Sequence, residues 1–504
     1  MGGRYQTFTY GSQKYGASGS PHILWAVEID WDADGIFDGT NEARYVTNLT
    51  ATRGRQYYIN PNGDGFQPMT VGRIDITLDN SSRRFDPWFT HGPLYGKILP
   101  GRKARVWLRY QDQDYPVMAG YVSDPQPISG DYSRVKLTIL DGVQYLVENP
   151  VSVLLRQNIS YADAIGAILD AIDWPTVWGR SLETGIAELP YWWADGENSQ
   201  TAIQFLVDAA LGTFFVAADG KARFYSRNHI STSVLSTDQV DFGRQIIIQQ
   251  PWEVVRNLVR IAVHPLTVQS PGDLWTMGDK PFINPGESLT VFANFSYLGA
   301  ECPAINVVTP VATTDYLANT ASDGSGTDLT ASITIQMTVF SKTAKIVITN
   351  NSASLAYVTL LKVRGDAITE VDTTTVEAHD LASQAAFGKH EFALDTPWMR
   401  NINNAKAFAD MIKVSMALPR SFPQVMLEGR PDIQFTPDLF DAVTVHLESM
   451  GINDDFRLGR IEHQWLESTG QSVRTIWKLE TFENFNEDSW QFPTRIGISS
   501  KFAL

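Results

Sequence analysis

Apolar and polar residues alternate at both ends of the stretch Thr70–Tyr110, and the rest of the chain is arranged around that stretch. At its start, Ile74, Ile76 and Leu78 fall on one face, with Arg73, Asp75, Thr77 and Asp79 on the other. At its end, Ala104, Val106, Leu108 and Tyr110 alternate with Lys103, Arg105, Trp107 and Arg109. A period of two predicts a half-buried strand at each end. Between them lies a loop of about twenty residues, far longer than the two to five usual in a hairpin. It carries Phe85, Trp88, Phe89, Leu94, Tyr95 and Ile98, punctuated by Pro87, Pro93 and Pro100. A long loop with its own aromatic core is expected to be ordered. It can plug the end of a barrel or dock a partner, and the two roles are compatible.

The same pattern extends on both sides. Residues 22–30 and 46–58 read as strands, Asn62-Gly63 and Asp64-Gly65 as turns, and 115–127 and 133–146 as further alternating strands. Residues 21–145 thus hold about seven strands and no helix, which predicts a closed or nearly closed β-barrel with the long loop at 81–99. The period then changes. Ser160–Asp163 opens a helix with a capping-box-like start, followed by Ala162, Ile165, Ile168, Leu169 and Ile172 at helical spacing. A second helix is expected over 200–211, with Gly212 as its stop, and then a hairpin turning at Asp219-Gly220. Residues 146–235 therefore form a small α+β module. Residues 240–265 return to strands.

From 276 to 395 the composition shifts to Thr, Ala, Ser, Asn and Asp with many short strands, which predicts an inserted β-sandwich. A third helix is expected over 402–416, with Ala405, Phe408, Ala409 and Ile412 inward. Alternation resumes in 441–447, 456–466 and 472–482, so 236–275 and 396–485 are expected to close a second β-barrel around the insert. Residues 1–20 read as a flexible Gly-, Ser- and Tyr-rich arm, and 486–504 as a tail that reaches a partner. The fold class is mainly β with an α+β module.

Composition narrows the function. A net charge of −16 argues against a nucleic-acid binder that works through a basic surface. The single Cys302 excludes an intrachain disulfide and a multi-cysteine metal site. No apolar run reaches the roughly eighteen residues of a membrane helix. The N-terminus lacks an apolar signal core, so classical secretion is not expected.

Three features carry candidate chemistry. Asp30, Asp32, Asp34 and Asp38, with Gly35 and the Ile36 carbonyl, match the spacing of a calcium loop. The match is imperfect: Asn41 stands at the twelfth position, and Glu42, one residue late, would supply the bidentate carboxylate. The flanks read as strands, and the plain alternative is a solvated acidic turn. Trp174, Trp178, Tyr191, Trp192 and Trp193 cluster between the predicted helices; such clusters line sugar sites or anchor interfaces, and core packing is their more frequent use. The eight histidines are scattered, with no HExxH, GxSxG or phosphate-binding loop. His446 and His463 lie in strand patterns, where a solvated or hydrogen-bonded role is expected. Asp454-Asp455 reads as a solvated loop pair, and nothing selects the two acids a glycosidase needs. No enzymatic activity is expected.

The organising stretch also resembles the first barrel of bacteriophage tail hub proteins, which include minor tail proteins of long-tailed phages and baseplate hubs of contractile ones. The resemblance rests on Leu78-Asp79-Asn80, Arg84-Phe85-Asp86-Pro87, Pro93-Leu94-Tyr95 and Pro100-Gly101 leading into a basic strand. Further similar pieces are Thr52-Arg53-Gly54-Arg55, Thr201-Ala202 through Gly220, Asp438-Leu439-Phe440-Asp441 and Arg457-Leu458-Gly459-Arg460-Ile461. It covers most of 21–270 and 396–482 and leaves out the insert and both ends.

The resemblance implies a homotrimeric ring at the distal end of the tail, assembled in the bacterial host cytoplasm. Each copy would supply two similar barrels that meet the tail tube. The ring would hold tip, spike or receptor-binding proteins and let phage DNA pass its lumen without specific binding. In that setting Phe85, Trp88, Phe89 and Tyr95 are the expected partner contacts. The alternative is a receptor- or glycan-binding tail-tip protein acting through the inserted sandwich.

Overall fold

The computed structural model describes residues 23–37, 41–60, 62–128, 133–185, 188–227, 229, 233–236, 245–447, 452–466 and 472–481. The predicted arm 1–20 and tail 486–504 lie outside these residues.

The predicted alternation becomes a sheet. The first β unit consists of β1 (Leu24–Ile29), β2 (Val46–Gly54), β3 (Arg73–Asp79), β4 (Lys103–Tyr110), β5 (Gln113–Ile128) and β6 (Arg134–Asp141). They lie in the order β1-β4-β5-β6-β3-β2, antiparallel throughout. Ile74, Ile76, Leu78, Val106 and Leu108 fill its core with Val27, Leu49, Val122 and Ile139. The sheet does not stop there. Thr50–Gly54 of β2 pairs with Arg460–Gln464, and the sheet continues through Ser472–Thr481, Phe422–Glu428 and Gln245–Gln249. The two expected barrels are thus two lobes of one curled sheet.

Among the described residues β1 pairs only with β4, so the first lobe is not closed strand to strand. Two devices finish it. Trp25 stacks on Trp465 at 5.0 Å and meets Phe435 edge-on at 6.3 Å. Along the free edge of β1, the Asn41 side chain takes a strand's place: its Oδ1 accepts from Val27 N–H at 2.9 Å and its Nδ2 donates to the Trp25 carbonyl at 2.9 Å.

The α+β module packs beside this sheet. Asp141 caps α1 (Gly142–Glu148), accepting from Val143 N–H at 3.0 Å. Ser160 caps α2 (Tyr161–Ala171), accepting from Asp163 N–H at 3.0 Å as the capping-box reading requires. α3 (Ser199–Ala210) ends one residue before the expected glycine, on Leu211 at φ +50°. Gly212 is needed for another reason: a Cβ there would lie 2.6 Å from the Phe224 ring. A long two-stranded ribbon, Pro150–Ser160 with Glu188–Asn198, joins the helices.

The insert is a sandwich. One sheet is built along Ala356–Glu370, and the other is Ser288–Asn294, Thr343–Asn350 and Ile333–Val339. Phe295, Ile346, Ile348, Leu361 and Val363 fill the space between them. Leu258–Val263, grouped by its sequence with the second lobe, instead pairs with Thr374–His379 and Glu391–Leu394. The physical reason is a helix. After α4 (Leu381–Phe387), α5 (Ile402–Met416) lays Ala405, Phe408, Ala409 and Ile412 over Val259, Ile261 and Val263. On the outer face Arg260 bridges Glu377 and Glu391. Among the described residues no helix is long and apolar enough to cross a membrane.

Candidate functional site

The long loop is braced from inside. Asn80 Oδ1 accepts from Phe85 N–H at 2.8 Å, and the Phe85 ring is fully buried against Tyr45 and Trp31. Leu94 and Ile98 are buried with it. This corrects one expected partner contact: Phe85 belongs to the core, because its backbone is pinned to Asn80 and its ring faces inward. The others differ. Trp88 is 76% exposed, Tyr95 51% and Leu99 48%, while Phe89 is half-buried beneath the Arg83 guanidinium at 4.1 Å. The loop thus buries Phe85, Leu94 and Ile98 and leaves Trp88, Tyr95 and Leu99 outward.

One ion pair locks the plug. The Glu42 carboxylate is wholly buried; it accepts from Arg84 Nη2 at 2.6 Å and Arg84 Nε at 3.0 Å, and from Trp31 Nε1 at 3.2 Å. Glu42 is therefore not the bidentate ligand the calcium spacing requires: the guanidinium occupies both of its oxygens. Asp30 is buried and turned onto the backbone, accepting from Asp34 N–H at 3.2 Å and Gly35 N–H at 2.9 Å. Asp34 accepts from Ile36 N–H at 2.9 Å, and Asp32 pairs with Lys97 at 2.6 Å. Asp38 lies outside the described residues. Among the described residues no group of three or more His, Cys, Asp or Glu is placed to hold a metal ion.

The second feature is a buried charged seam where β2 meets the second lobe. The Arg53 guanidinium pairs with Asp438 and donates to the Val117 carbonyl at 3.2 Å. Asp438 also accepts from Ala218 N–H at 2.9 Å, so one carboxylate joins both lobes and the module. Arg55 donates to the Gln67 carbonyl at 2.9 Å, lies 3.7 Å from Glu480, and rests on the Tyr58 and Phe440 rings. Burial pushes the Glu480 carboxyl up. It also pushes Asp208 up to about 7 and Asp141 up to about 6. His463 stacks on Phe435 at 4.3 Å and bonds Thr475 at 2.9 Å; burial and then the Arg53 charge push it down to about 3. It is a neutral core histidine, while the His446 side chain lies outside the described residues.

This seam was not legible as a site in the sequence. Its signal was present nonetheless: Thr52–Arg55, Asp438–Asp441 and Arg457–Ile461, three of the pieces that carry the family resemblance, converge on it.

The tryptophan cluster is core. Trp174, Trp178 and Trp192 are buried, and Trp193 packs edge-on to Trp398 at 5.1 Å. Asp454 and Asp455 sit on the strand Ile452–Leu466, not in a loop, with Asp455 accepting from Thr444.

No protein-family model matches the chain, and no curated protein matches it. Tail proteins are among the solved structures it is similar to. One is a tail protein from Neisseria meningitidis MC58, at 9% identity, covering 90% of this chain and 96% of that one, with a TM-score of 0.49. Another is the 43 kDa tail protein of prophage MuSo2 from Shewanella oneidensis, at 9% identity, 91% and 97% coverage, and a TM-score of 0.47. A third is prophage tail protein gp18 from Listeria monocytogenes EGD-e, at 7% identity, 91% and 94% coverage, and a TM-score of 0.41. At TM-scores below 0.5 these likenesses carry no functional argument of their own.

Proposed function

We propose that this chain is a structural protein of a bacteriophage tail: a hub at the distal end of the tail tube, built as a homotrimeric ring. The observation that carries the reading is the seam. Segments nearly four hundred residues apart, Arg53 and Asp438 among them, are spent on fixing two β lobes into one curled sheet. That construction suits a rigid ring segment better than a catalyst. The braced loop adds a rigid platform with Trp88, Tyr95 and Leu99 outward, the residue types that anchor interfaces. A charge of −16 suits a lumen that passes DNA without holding it. In this reading the ring organises tip or receptor-binding proteins and opens for genome ejection.

The test is tail assembly with Trp88→Ala/Tyr95→Ala. The double variant is expected to fold with unchanged thermal stability, since both rings are exposed, and to fail to enter tails. Normal incorporation would overturn the docking role. Light scattering of the purified wild type is expected to give a trimer. A monomer that also fails to bind tail-tube protein would overturn the hub. We propose separately that the Asp30–Asp38 turn takes calcium through Asp30, Asp32, Asp34, Asp38 and the Ile36 carbonyl, without Glu42.

A second reading, receptor or glycan binding, is favoured by one feature of the insert. Phe292 is 61% exposed on the outer face of its sheet, in register with Lys345 and Thr338. An aromatic ring flanked by hydrogen-bonding side chains suits a sugar ring. Phe292→Ala in the full chain is expected to abolish binding to host-surface glycans, and wild-type protein that binds none would remove the reading.

A further inference from the structure

The insert joins the body through a neck. Leu266–Val268 runs antiparallel to Ile368–Glu370, closed by Val371 N–H to the Pro265 carbonyl at 2.9 Å and Gln269 N–H to the Ala367 carbonyl at 2.8 Å. One lateral contact supports it: Ser341 Oγ donates to the Val153 carbonyl at 3.2 Å, and Lys342 pairs with Asp195 at 3.0 Å. At the root of the neck stands His264, its side chain 15% exposed. Its Nδ1 lies 2.7 Å from Glu370 on the returning strand of the neck. Its Nε2 lies 2.7 Å from Asp395 on the body, just past Glu391–Leu394.

A carboxylate only accepts, so each ring nitrogen facing one must carry a proton to bond it. Only the imidazolium carries two; a neutral ring donates once and turns a lone pair toward the other carboxylate. The remaining groups at the ring decide which bond fails. Arg400 donates to the His264 carbonyl at 2.6 Å and lies 3.7 Å from Glu370. Burial pushes Arg400 down to about 10, so it stays charged at neutral pH and continues to compensate Glu370. The Thr373 hydroxyl, which donates to Glu370 at 3.3 Å, lies 3.5 Å from Nδ1 and can turn to donate to it once that nitrogen is bare. Among the described residues no such substitute stands beside Asp395 in the contacts of the ring.

We propose that His264 is a proton-operated latch on the inserted sandwich, whose doubly protonated ring ties the neck to the body and whose neutral ring lets go of Glu370 while keeping Asp395. The insert is held while Glu370 and Asp395 are ionised and His264 has both protons. It gains freedom as the pH rises and Nδ1 loses its own. The latch is argued from the neck alone and does not depend on the tail-hub reading.

Two measurements on the full chain test it. Histidine-labelled ¹⁵N spectra are expected to give an imidazolium at the acid end and the Nε2–H tautomer at the alkaline end. A dye on Ser322→Cys, exposed on the insert, reports rotation by anisotropy decay; Cys302 is buried and leaves the label specific. The insert's correlation time is expected to drop in one step with rising pH in the wild type. It should stay short at every pH in His264→Gln. Glu370→Ala removes the same bond without touching the ring and should also abolish the step, whereas Asp395→Asn should retain it. An Nδ1–H tautomer, a wild type without the step, or a step that survives in Glu370→Ala would each overturn the latch.

Discussion

Asn41 and Glu42 show what a single residue's partner decides. By spacing alone they complete, imperfectly, a calcium loop. In the fold Asn41 serves the edge of β1 and Glu42 serves Arg84. Removing one member of a buried pair leaves an uncompensated charge, so Arg84→Ala and Glu42→Gln are each expected to cost about 3–5 kcal/mol in urea unfolding. The loss should be the same with calcium and with chelator; a loss seen only with calcium would return Glu42 to the ligand set.

Asp208 gives a pH dependence of defined sign. Its folded value near 7 lies above the roughly 3.9 of an unfolded Asp, raised by burial against the opposing pulls of Gln204 and Arg55. The folded state thus holds a proton that the unfolded state releases, and stability falls as the pH rises from about 4 to about 7. Asp208→Asn should remove this slope, gaining on the wild type by on the order of 4 kcal/mol across that window. His463 acts with the opposite sign, since its folded value near 3 makes stability fall as the pH drops below the unfolded imidazole range. The difference between Asp208→Asn and wild type isolates the first effect, and a flat difference would refute it.

At the scale of elements, what is local was legible. α5 covers the span its apolar spacing predicts, with all four expected residues buried, and Ser160 caps α2 as its motif implies. β3 and β4 follow their alternation residue by residue. Pairing was not legible, because it depends on contacts between distant segments. No periodicity says that Leu258–Val263 will take Thr374–His379 and α5 as neighbours, or that β2 will continue into Arg460–Gln464. The missed helices α1 and α4 are each seven residues long, too short for a clear period. Gly54 marks the hidden junction. It sits at φ +95°, and a Cβ there would lie 2.2 Å from the Gly459 carbonyl oxygen. Gly54→Ala therefore meets both strain and a backbone clash, and is expected to cost more than about 2 kcal/mol and to weaken amide protection in both β2 and Arg460–Gln464. Loss confined to β2 would mean the two lobes are held together by something other than this pairing.

For the whole molecule, the sequence conveyed the inventory of parts better than their assembly. The order of β lobe, α+β module, insert and returning strands follows the hydrophobic pattern. The candidate site was half legible. Trp88 and Tyr95 are outward and Phe85 is inward, and hydrophobicity alone cannot separate an aromatic that plugs from one that faces solvent. The Asn41 bridge has a consequence at this largest scale. A strand edge left open is a template on which another chain can add itself, and this lobe ends on an amide instead. Asn41→Ala should leave the protein's circular dichroism spectrum almost unchanged yet make concentrated solutions grow turbid with time, and a variant as clear as wild type would relocate that protection elsewhere. One side chain thus occupies the Trp25–Val27 stretch where a foreign strand would otherwise add.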